Sequence, residues 1–261
     1  MKANTSEVDQ GTRPLLKAAA EAQTAQPANQ ERLLGFVLRL SHDLRTPLGP
    51  LLLQAQMLHR SLEPADPNRR RAEVIIESSQ RISAMLQDLV ELFSLEAGQA
   101  RLVLRRVDLG SYVGKLQERL VGRLAVERIR VEVPADALEV MADFNQLDRI
   151  LLLLLGNALQ FSPAEAEVVV IARRLGEEVQ LAVSDQGTGI PPDELPRLLS
   201  SPFSSQGGGR EVQRGLGLYL CSLLAQAHGG RLEIDSFPGK GSEFRVILPS
   251  ALRVDTTHRL S

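Results

Sequence analysis

The sequence lacks the features that mark secreted and membrane-spanning proteins. Among its 261 residues, Cys221 is the only cysteine, so no internal disulfide can form, and this fits a reducing compartment. The longest purely apolar run, Ile150 to Leu155, is far shorter than the ~20 residues that a membrane span needs. The first residues contain no apolar stretch of the kind found in secretory signals. The sequence therefore predicts a cytoplasmic chain without membrane insertion.

The chain also lacks an excess of charge of either sign. It contains 30 Lys and Arg residues against 32 Asp and Glu residues, which gives a formal net charge of −2. A chain with this balance has no overall positive field that would draw it to nucleic acid. Hydrophobic residues make up 43% and charged residues 24%, as in ordinary globular proteins. We therefore expect one or two folded domains and no nucleic-acid partner.

Two stretches with helical periodicity predict a helical hairpin over residues 31–98. Apolar residues recur in alternating steps of three and four over residues 37–58, and a second stripe over 75–93 keeps this spacing, with Ser79 at one apolar position. A short segment with two prolines separates the stripes. Because such a hairpin cannot bury both stripes alone, the simplest prediction is a homodimer that forms a four-helix bundle.

The segments before and after the hairpin differ from it in composition and in hydrophobic pattern. Residues 1–30 are rich in Ala, Gln, Asn and Thr and are interpreted as a flexible leader, with a short helical piece near 15–25. Residues 99–249 alternate short strand-like runs with helix-like runs, which predicts an α/β sandwich with helices on one face of a single sheet. Residues 250–261 form a polar tail that we expect to be frayed. The predicted fold class is α+β.

The first candidate functional motif, SHDLRTPL, lies within the first predicted helix. At 100° per residue His42 points ~200° away from the apolar stripe and therefore towards solvent. An imidazole with a pKa of about 6.5 offers a neutral nitrogen nucleophile at pH 7. Asp43 can bind one ring nitrogen and leave the other as the attacking atom, and Thr46, one turn further on, can position a water molecule. Taken alone, the motif also fits an ordinary surface histidine.

Two further motifs lie in the α/β region. Asn157 is a polar residue inside a leucine-rich helix, and its carbonyl oxygen is a hard ligand suited to Mg²⁺. Asp185 follows a predicted strand, where its carboxylate can accept a hydrogen bond from an exocyclic amine. The nearby Gly187 and Gly189 allow the backbone to approach a flat ligand. A buried structural asparagine and a plain turn remain the alternatives for each motif alone.

The last motif is RGLGL, which we place at the start of a helix predicted to begin at Leu216. Gly215 and Gly217 would then expose free backbone N–H groups at a helix N-terminus, where the dipole favours phosphate. Arg214 would add a positive charge. Taken alone, a structural glycine turn is the alternative interpretation.

The four motifs follow one another at separations of 115, 28 and 30 residues. In this order they resemble the sensor histidine kinases of bacterial two-component systems. SHDLRTPL is similar to the phospho-acceptor motif, GNALQFS to the asparagine motif, and DQGTGIPP and RGLGL to the two glycine motifs. Ser201 to Phe203 resembles a further short motif of that family. The resemblance covers about residues 31–249.

The resemblance implies a dimeric phospho-acceptor hairpin followed by a Bergerat-type ATP-binding domain of the histidine kinase and gyrase type. His42 would accept the γ-phosphoryl group of ATP, and Asp43 would orient and deprotonate it. The group would pass to an aspartate in the receiver domain of a response regulator, and Thr46 would serve the reverse dephosphorylation.

The resemblance also implies roles in ATP binding. Asp185 would bind the adenine amine beside Gly187 and Gly189, and Asn157 would hold Mg²⁺. The remaining implied ATP contacts belong to the last glycine motif and to a mobile lid, and they are Arg214, Gly215, Gly217 and residues 190–214.

Two positions depart from the family pattern. Leu153 stands where a second polar residue is usual, and Gln160 stands where a lysine is usual. The loss of one polar group and one positive charge beside the triphosphate could weaken Mg·ATP binding. The alternative prediction is therefore a phosphotransfer scaffold or regulator phosphatase with a degenerate ATP site.

Overall fold

The structure is a computed structural model, and the chain divides into two compact units, Met1–Ala100 and Arg101–Ser261. Each unit is described by itself. The backbone is described over residues 9–120, 125–133, 138–200 and 210–251.

The first unit is a hairpin of two long helices, α1 (Asp9–Ser61) and α2 (Pro67–Glu96). The Asp66 side chain caps the start of α2 by accepting a hydrogen bond from the Asn68 backbone N–H at 2.8 Å, and Pro67 occupies the first helical position. Together these two residues fix where the second helix of the predicted hairpin begins.

The extent of α1 corrects the prediction of a flexible leader over residues 1–30. The helix begins at Asp9, so the short helical piece expected near 15–25 is part of one continuous helix. The reason is local: Ala, Leu, Gln, Glu and Lys dominate the segment 15–32, and these residues have high helix propensity. Residues 1–8 lie outside the described part of the chain.

The buried residues of α1 and α2 combine small side chains with three leucines and one aspartate. Ser79, the polar residue of the second stripe, is 3% exposed, and its hydroxyl donates to the Ile75 carbonyl at 2.7 Å. This local bond satisfies the hydroxyl inside the contact. The buried residues of the two helices, among those whose side chains the structure describes, are Leu34, Ser41, Ala55, Ala72, Ser79, Leu86, Asp88 and Leu92.

A second apolar face of the hairpin stays open in a single chain. It consists of large side chains that are 40–47% exposed. These residues belong to the two predicted stripes, so one copy of the hairpin buries only part of the apolar surface that the sequence provides. The residues of this outer stripe are Leu40, Leu44, Leu51, Leu58, Ile75 and Ile82.

The second unit is built on a five-stranded sheet in the order β2-β4-β5-β7-β6, with a separate two-stranded sheet of β1 and β3. In the larger sheet β2 runs parallel to β4, and the other neighbours are antiparallel. The strands are β1 (Arg105–Asp108), β2 (Ile129–Glu132), β3 (Glu139–Ala142), β4 (Val168–Leu175), β5 (Glu178–Asp185), β6 (Arg231–Phe237) and β7 (Gly241–Pro249).

The helices of this unit include two long ones, α5 and α7, which pack on each other and on the sheet. Residues 109–120 form two short helices, the first of which ends at Gly114. The helices are α3 (Leu109–Gly114), α4 (Leu116–Leu120), α5 (Phe144–Phe161), α6 (Leu195–Ser200) and α7 (Arg210–Ala227), with a 3₁₀ turn at Val126–Arg128.

The two faces of the larger sheet differ, which confirms the predicted α/β sandwich, but the separate pair of β1 and β3 shows that the expectation of a single sheet was wrong. Alternate residues of β4, such as Val168 and Val170, are fully buried. The opposite face carries ion pairs, among them Arg231 with Glu178 at 2.6 Å. Such alternation is typical of an antiparallel sheet with one face in water.

The predicted tail begins later than expected. Ser250 and Ala251 are buried, and the Ser250 backbone N–H donates to the Glu177 carbonyl at 3.0 Å. These bonds hold the first tail residues against the sheet, which corrects the expected fraying from residue 250. Residues 252–261 lie outside the described part. In the described ranges, no helix is long and apolar enough to span a membrane.

Candidate functional site

His42 projects from α1 into solvent, as its angle to the apolar stripe predicts. Its side chain is 82% exposed, and Nδ1 lies 3.2 Å from Oδ1 of Asp43. The Thr46 hydroxyl donates to the His42 backbone carbonyl at 3.0 Å, which places it one turn along the same side of the helix. A contact that sequence reasoning missed joins Arg45 to the side-chain oxygen of Gln87 on α2 at 2.5 Å. This bond ties the two helices together beside His42.

A pocket in the second unit brings together three of the predicted ATP-binding residues, Asn157, Asp185 and Gly189. Its volume is about 240 Å³, including space open to solvent. The sequence analysis assigned no role to the remaining residues of its wall: Phe161 and Ile190 lie within two of the motifs, whereas Ser242 and Phe244, near the start of β7, lie in none of the four. These additional lining residues are Phe161, Ile190, Ser242 and Phe244.

Asp185 ends β5, and its carboxylate is held in place by the turn that follows. Oδ1 accepts a hydrogen bond from the Gly187 backbone N–H at 2.7 Å. A Cβ atom at Gly187 would lie 2.6 Å from the Phe161 carbonyl oxygen, so a side chain is excluded there. The strand end, the turn and the end of α5 therefore hold the carboxylate at the pocket in one orientation.

Gly189 is the position in this turn that only glycine can occupy without strain. Its φ is +71°, and a Cβ atom would lie 2.0 Å from the Phe237 carbonyl oxygen. The turn thus packs directly on the backbone that follows β6. The next residue, Ile190, donates its backbone N–H to the buried Ser236 hydroxyl at 2.7 Å, which anchors the pocket floor.

We expect Gly189→Ala to destabilise the second unit. The left-handed backbone alone costs about 1–3 kcal/mol for a residue with a side chain, and the clash with Phe237 adds to this. Thermal denaturation measures the effect, with Gly156→Ala as the control. Gly156 lies inside α5 with no atom within 4 Å of its added Cβ, so this control should leave stability unchanged or raise it. Equal melting temperatures for both variants would contradict the packing described.

Asn157 lies on α5 with its amide nitrogen buried. Within the described ranges, Nδ2 donates to no hydrogen-bond acceptor. A Cβ atom at Gly217 on α7 would lie 3.7 Å from this nitrogen and 3.6 Å from Cδ2 of Leu153. The second glycine motif and the asparagine motif therefore meet where α5 and α7 cross, and a buried donor without an acceptor marks the place.

The start of α7 corrects the prediction that its helix begins at Leu216. The helix begins at Arg210, because the added first turn contains Arg, Glu and Gln, which favour helix. Gly215 and Gly217 therefore lie inside the helix and do not present free N–H groups at its N-terminus. Gly217 instead leaves room beside Asn157.

Some predicted residues fall outside what the structure describes. These are residues 201–209, which include Ser201 to Phe203 and part of the predicted lid, and the side chain of Arg214.

The donors at the pocket suit a nucleotide with its magnesium ion. The unpaired Asn157 amide nitrogen can donate to a phosphate oxygen, and its carbonyl oxygen is a hard ligand. Across the described residues, no group of three or more His, Cys, Asp or Glu side chains could hold a metal ion. Where Mg²⁺ binds together with phosphates, it commonly takes several of its ligands from the phosphate oxygens.

Two family models match the chain. The model described as the His Kinase A (phospho-acceptor) domain matches residues 32–98. The model described as the histidine kinase-, DNA gyrase B-, and HSP90-like ATPase matches residues 142–252. The matches fall on the two units and include His42 in the first and Asn157 and Asp185 in the second.

Similar proteins carry corresponding names. The chain is 33% identical over 232 residues to the alginate biosynthesis sensor protein KinB of Pseudomonas aeruginosa, covering 87% of this chain and 38% of KinB. It is 32% identical over 222 residues to the sensor-like histidine kinase SenX3 of Mycobacterium tuberculosis, covering 83% and 54%. This chain thus spans about half, or less, of these relatives.

A solved structure of full-length ShkA in complex with AMPPNP is also similar. It matches with a TM-score of 0.63 and 28% identity, over 82% of this chain and 45% of ShkA. Family models on both units, named relatives and a similar solved structure agree with the resemblance found in the motifs. The chain therefore belongs to the sensor histidine kinases and contains their transmitter region, a phospho-acceptor hairpin followed by an ATP-binding domain.

Proposed function

We propose that this chain is an ATP-dependent protein histidine kinase that phosphorylates itself on His42. The phosphoryl group then passes to an aspartate in the receiver domain of a response regulator, and the chain also dephosphorylates that regulator. The observation that carries the proposal is the exposed His42–Asp43 pair in a phospho-acceptor domain that shares its chain with an ATPase domain. Residues 31–98 would supply the acceptor and residues 99–249 the ATP site.

The His42–Asp43 contact supports a division of labour between the two ring nitrogens. If Nδ1 carries the hydrogen and donates it to Asp43, the lone pair of Nε2 faces solvent. A bond forms between Nε2 and the γ-phosphorus while the bond to the β–γ bridging oxygen breaks, and ADP leaves. Asp43 stabilises or accepts the Nδ1 proton as positive charge develops on the ring. Thr46 would position water for the reverse hydrolysis on the regulator.

The pocket supports ATP as the phosphoryl donor. Asp185, held by Gly187, would accept a hydrogen bond from the adenine amine, while Phe161, Ile190 and Phe244 would contact the flat base. Gly189 keeps the turn against the pocket floor. We propose that this pocket selects a base that places a hydrogen-bond donor opposite the Asp185 carboxylate, as adenine does with its amine.

Asn157 would carry the phosphate end of the site. Its carbonyl oxygen would hold Mg²⁺, which supplies neutralisation of the charge on the phosphates. The amide nitrogen, buried and with no acceptor in the described ranges, would donate to a phosphate oxygen. Gly217 leaves space for this group.

The open face of the hairpin supports a homodimer. Six large apolar side chains of the outer stripe, 40–47% exposed in one copy, would pack against the same stripe of a second copy. Such a bundle would leave His42 accessible to a receiver domain, since its side chain points away from the stripe. Because both ATP and the regulator are found inside the cell, we place this part of the protein in the cytoplasm.

The proposal is tested by incubating the chain with Mg²⁺ and ATP labelled at the γ-phosphate. A phosphohistidine is labile in acid and stable in alkali, so the expected product is label with that behaviour. Transfer of the label to a receiver domain would test the second step. A folded, dimeric preparation that binds ATP and acquires no label would contradict kinase activity and would favour the degenerate-site alternative.

We expect Leu153→Asn to strengthen binding of Mg·ATP roughly three- to tenfold, since one added hydrogen bond contributes about 1 kcal/mol. The position lies beside Gly217, where the family pattern has a polar residue. Titration calorimetry with ATP in the presence of Mg²⁺ measures the change. Leu152→Asn is the matched control, because Leu152 is also half-buried but lies about 140° around α5 from Asn157. Equal affinity in both variants would show that the departure at Leu153 has no effect.

A further inference from the structure

The helices α5 and α7 run antiparallel and touch at three levels. At the pocket, the space beside Gly217 meets the Asn157 amide. In the middle, the Cys221 thiol donates to the Ile150 carbonyl at 3.8 Å. At the far end, where α5 begins and α7 has just ended, the Asp143 backbone N–H donates to Nε2 of His228 at 3.1 Å.

The spacing of these contacts follows one antiparallel alignment to within a helical turn. From the middle level to the far end, both helices advance by seven residues, from Ile150 to Asp143 and from Cys221 to His228. From the middle level to the pocket, α7 advances by four residues to Gly217, which lies between Leu153 and Asn157, three and seven residues along α5. The far end lies fourteen residues from Asn157, or about 21 Å at 1.5 Å per residue. The bond at the far end thus belongs to the same alignment that brings Gly217 to Asn157.

His228 uses both ring nitrogens in this contact. Nδ1 lies 2.7 Å from the Leu224 backbone carbonyl, which can only accept, so Nδ1 carries the hydrogen. Nε2 faces the Asp143 backbone N–H, which can only donate, so Nε2 is the acceptor. The side chain is 6% exposed. The two partners therefore assign a neutral imidazole with one defined tautomer.

Asp143 turns this contact into a junction at the start of α5. Its Oδ1 accepts from the backbone N–H groups of Asn145 at 2.9 Å and Gln146 at 3.3 Å, and its Oδ2 accepts from Val103 at 2.8 Å. Burial alone would raise the pKa of the Asp143 carboxyl, but these hydrogen bonds outweigh it and hold the pKa below its ordinary value. The N-cap is therefore ionised and well fixed, and His228 links it to α7.

We propose that His228 is a positioning residue of the ATP site, acting from the opposite end of the α5–α7 pair. By accepting from the Asp143 backbone, it fixes the register of the two helices and so keeps Gly217 beside Asn157. The inference rests on the proposed ATP-binding function. A slide of α7 by one residue would move Gly217 by about 1.5 Å, which is large against a 3.7 Å approach. Displacements of this size at a site reduce binding and rate strongly.

The test compares His228→Gln with His228→Met. Glutamine retains an acceptor oxygen near the place of Nε2, whereas methionine has a similar length and no comparable acceptor. In the nucleotide-free protein, the side-chain amide resonance of Asn157 reports its surroundings directly. We expect methionine to shift this resonance and to weaken ATP binding about tenfold, and glutamine to restore both towards the wild-type values.

Two controls separate positioning from loss of stability. Val246→Ala removes buried side-chain volume from β7 and should lower the melting temperature while the Asn157 resonance and the ATP affinity stay unchanged. The proposal would be overturned if His228→Met kept the wild-type Asn157 resonance and ATP affinity. It would also be overturned if His228→Gln changed both as much as His228→Met does. If the wild-type chain binds no ATP, the proposed function fails, whereas the Asn157 resonance still tests the register.

Discussion

Replacing His42 by glutamine is expected to abolish incorporation of the γ-phosphoryl group, the largest effect expected of any single change in this chain. Glutamine preserves a polar, exposed side chain, but its amide nitrogen has no free lone pair and cannot attack phosphorus. Neighbouring Asp43 then has no imidazole to orient. The measurement is acid-labile, alkali-stable label after incubation with Mg²⁺ and γ-labelled ATP, and we expect the variant to reach only background.

The fold should not change in this variant, because the His42 side chain is 82% exposed and bonds only to Asp43. Substitutions at such positions usually alter stability by no more than about 0.5 kcal/mol. His59→Gln is the matched control: His59 lies on the same helix and contacts Glu73 near the hairpin turn. This control should acquire label as the wild-type chain does. Label retained on His42→Gln would place the acceptor elsewhere.

Replacing Asp185 by asparagine is expected to weaken ATP binding by about ten- to a hundredfold, which corresponds to the loss of one hydrogen bond to a charged group. The Gly187 N–H orients the carboxylate at the pocket, where the proposed adenine amine would donate to it. If the asparagine oxygen keeps the bond to the Gly187 N–H, its NH₂ group faces the adenine amine, which is also a donor, and no hydrogen bond forms between them. Titration calorimetry with ATP measures the dissociation constant.

Asp235→Asn supplies the control for the change of charge. Asp235 lies on the open face of the sheet, where it pairs with Arg245, and it lines no part of the pocket. The control should bind ATP as the wild-type chain does. A similar affinity in Asp185→Asn and the wild-type chain, or an equal loss in the control, would remove Asp185 from adenine recognition.

Regular spacing made the hairpin predictable from the sequence. The division of the stripe residues between the inner contact and the outer face was not predictable. Steps of three and four identify apolar stripes, yet they do not say which residues face the other helix of the same chain. In the structure Ser41 and Ala55 lie inside the contact, whereas Leu44 and Leu51 lie outside it. Ser79 fits the inner contact because its hydroxyl bonds within its own helix.

The candidate ATP site was predictable where a residue type has a local reason to be there. Asp185 at a strand end and Gly189 in a tight turn are visible in the sequence, and the structure places both at the pocket with Asn157. The bond between Asp143 and His228 spans 85 residues, and nothing in either segment indicates the pairing. The start of α7 was missed because glycines suggested a boundary that neighbouring helix formers override.

The small residues between α1 and α2 affect how ATP binding and phosphoryl acceptance would each depend on the concentration of the chain. Ser41, Ala55, Ala72 and Ser79 bury few apolar atoms beside the three buried leucines of the contact, so the proposed pairing of the outer stripe with a second copy would add substantially to the stability of the hairpin. By mass action, that stabilisation falls as the chain becomes scarce. The ATP-binding unit has a core of its own. At low copy number a cell would therefore hold chains that bind nucleotide but lack an assembled acceptor, so abundance itself would gate the signal.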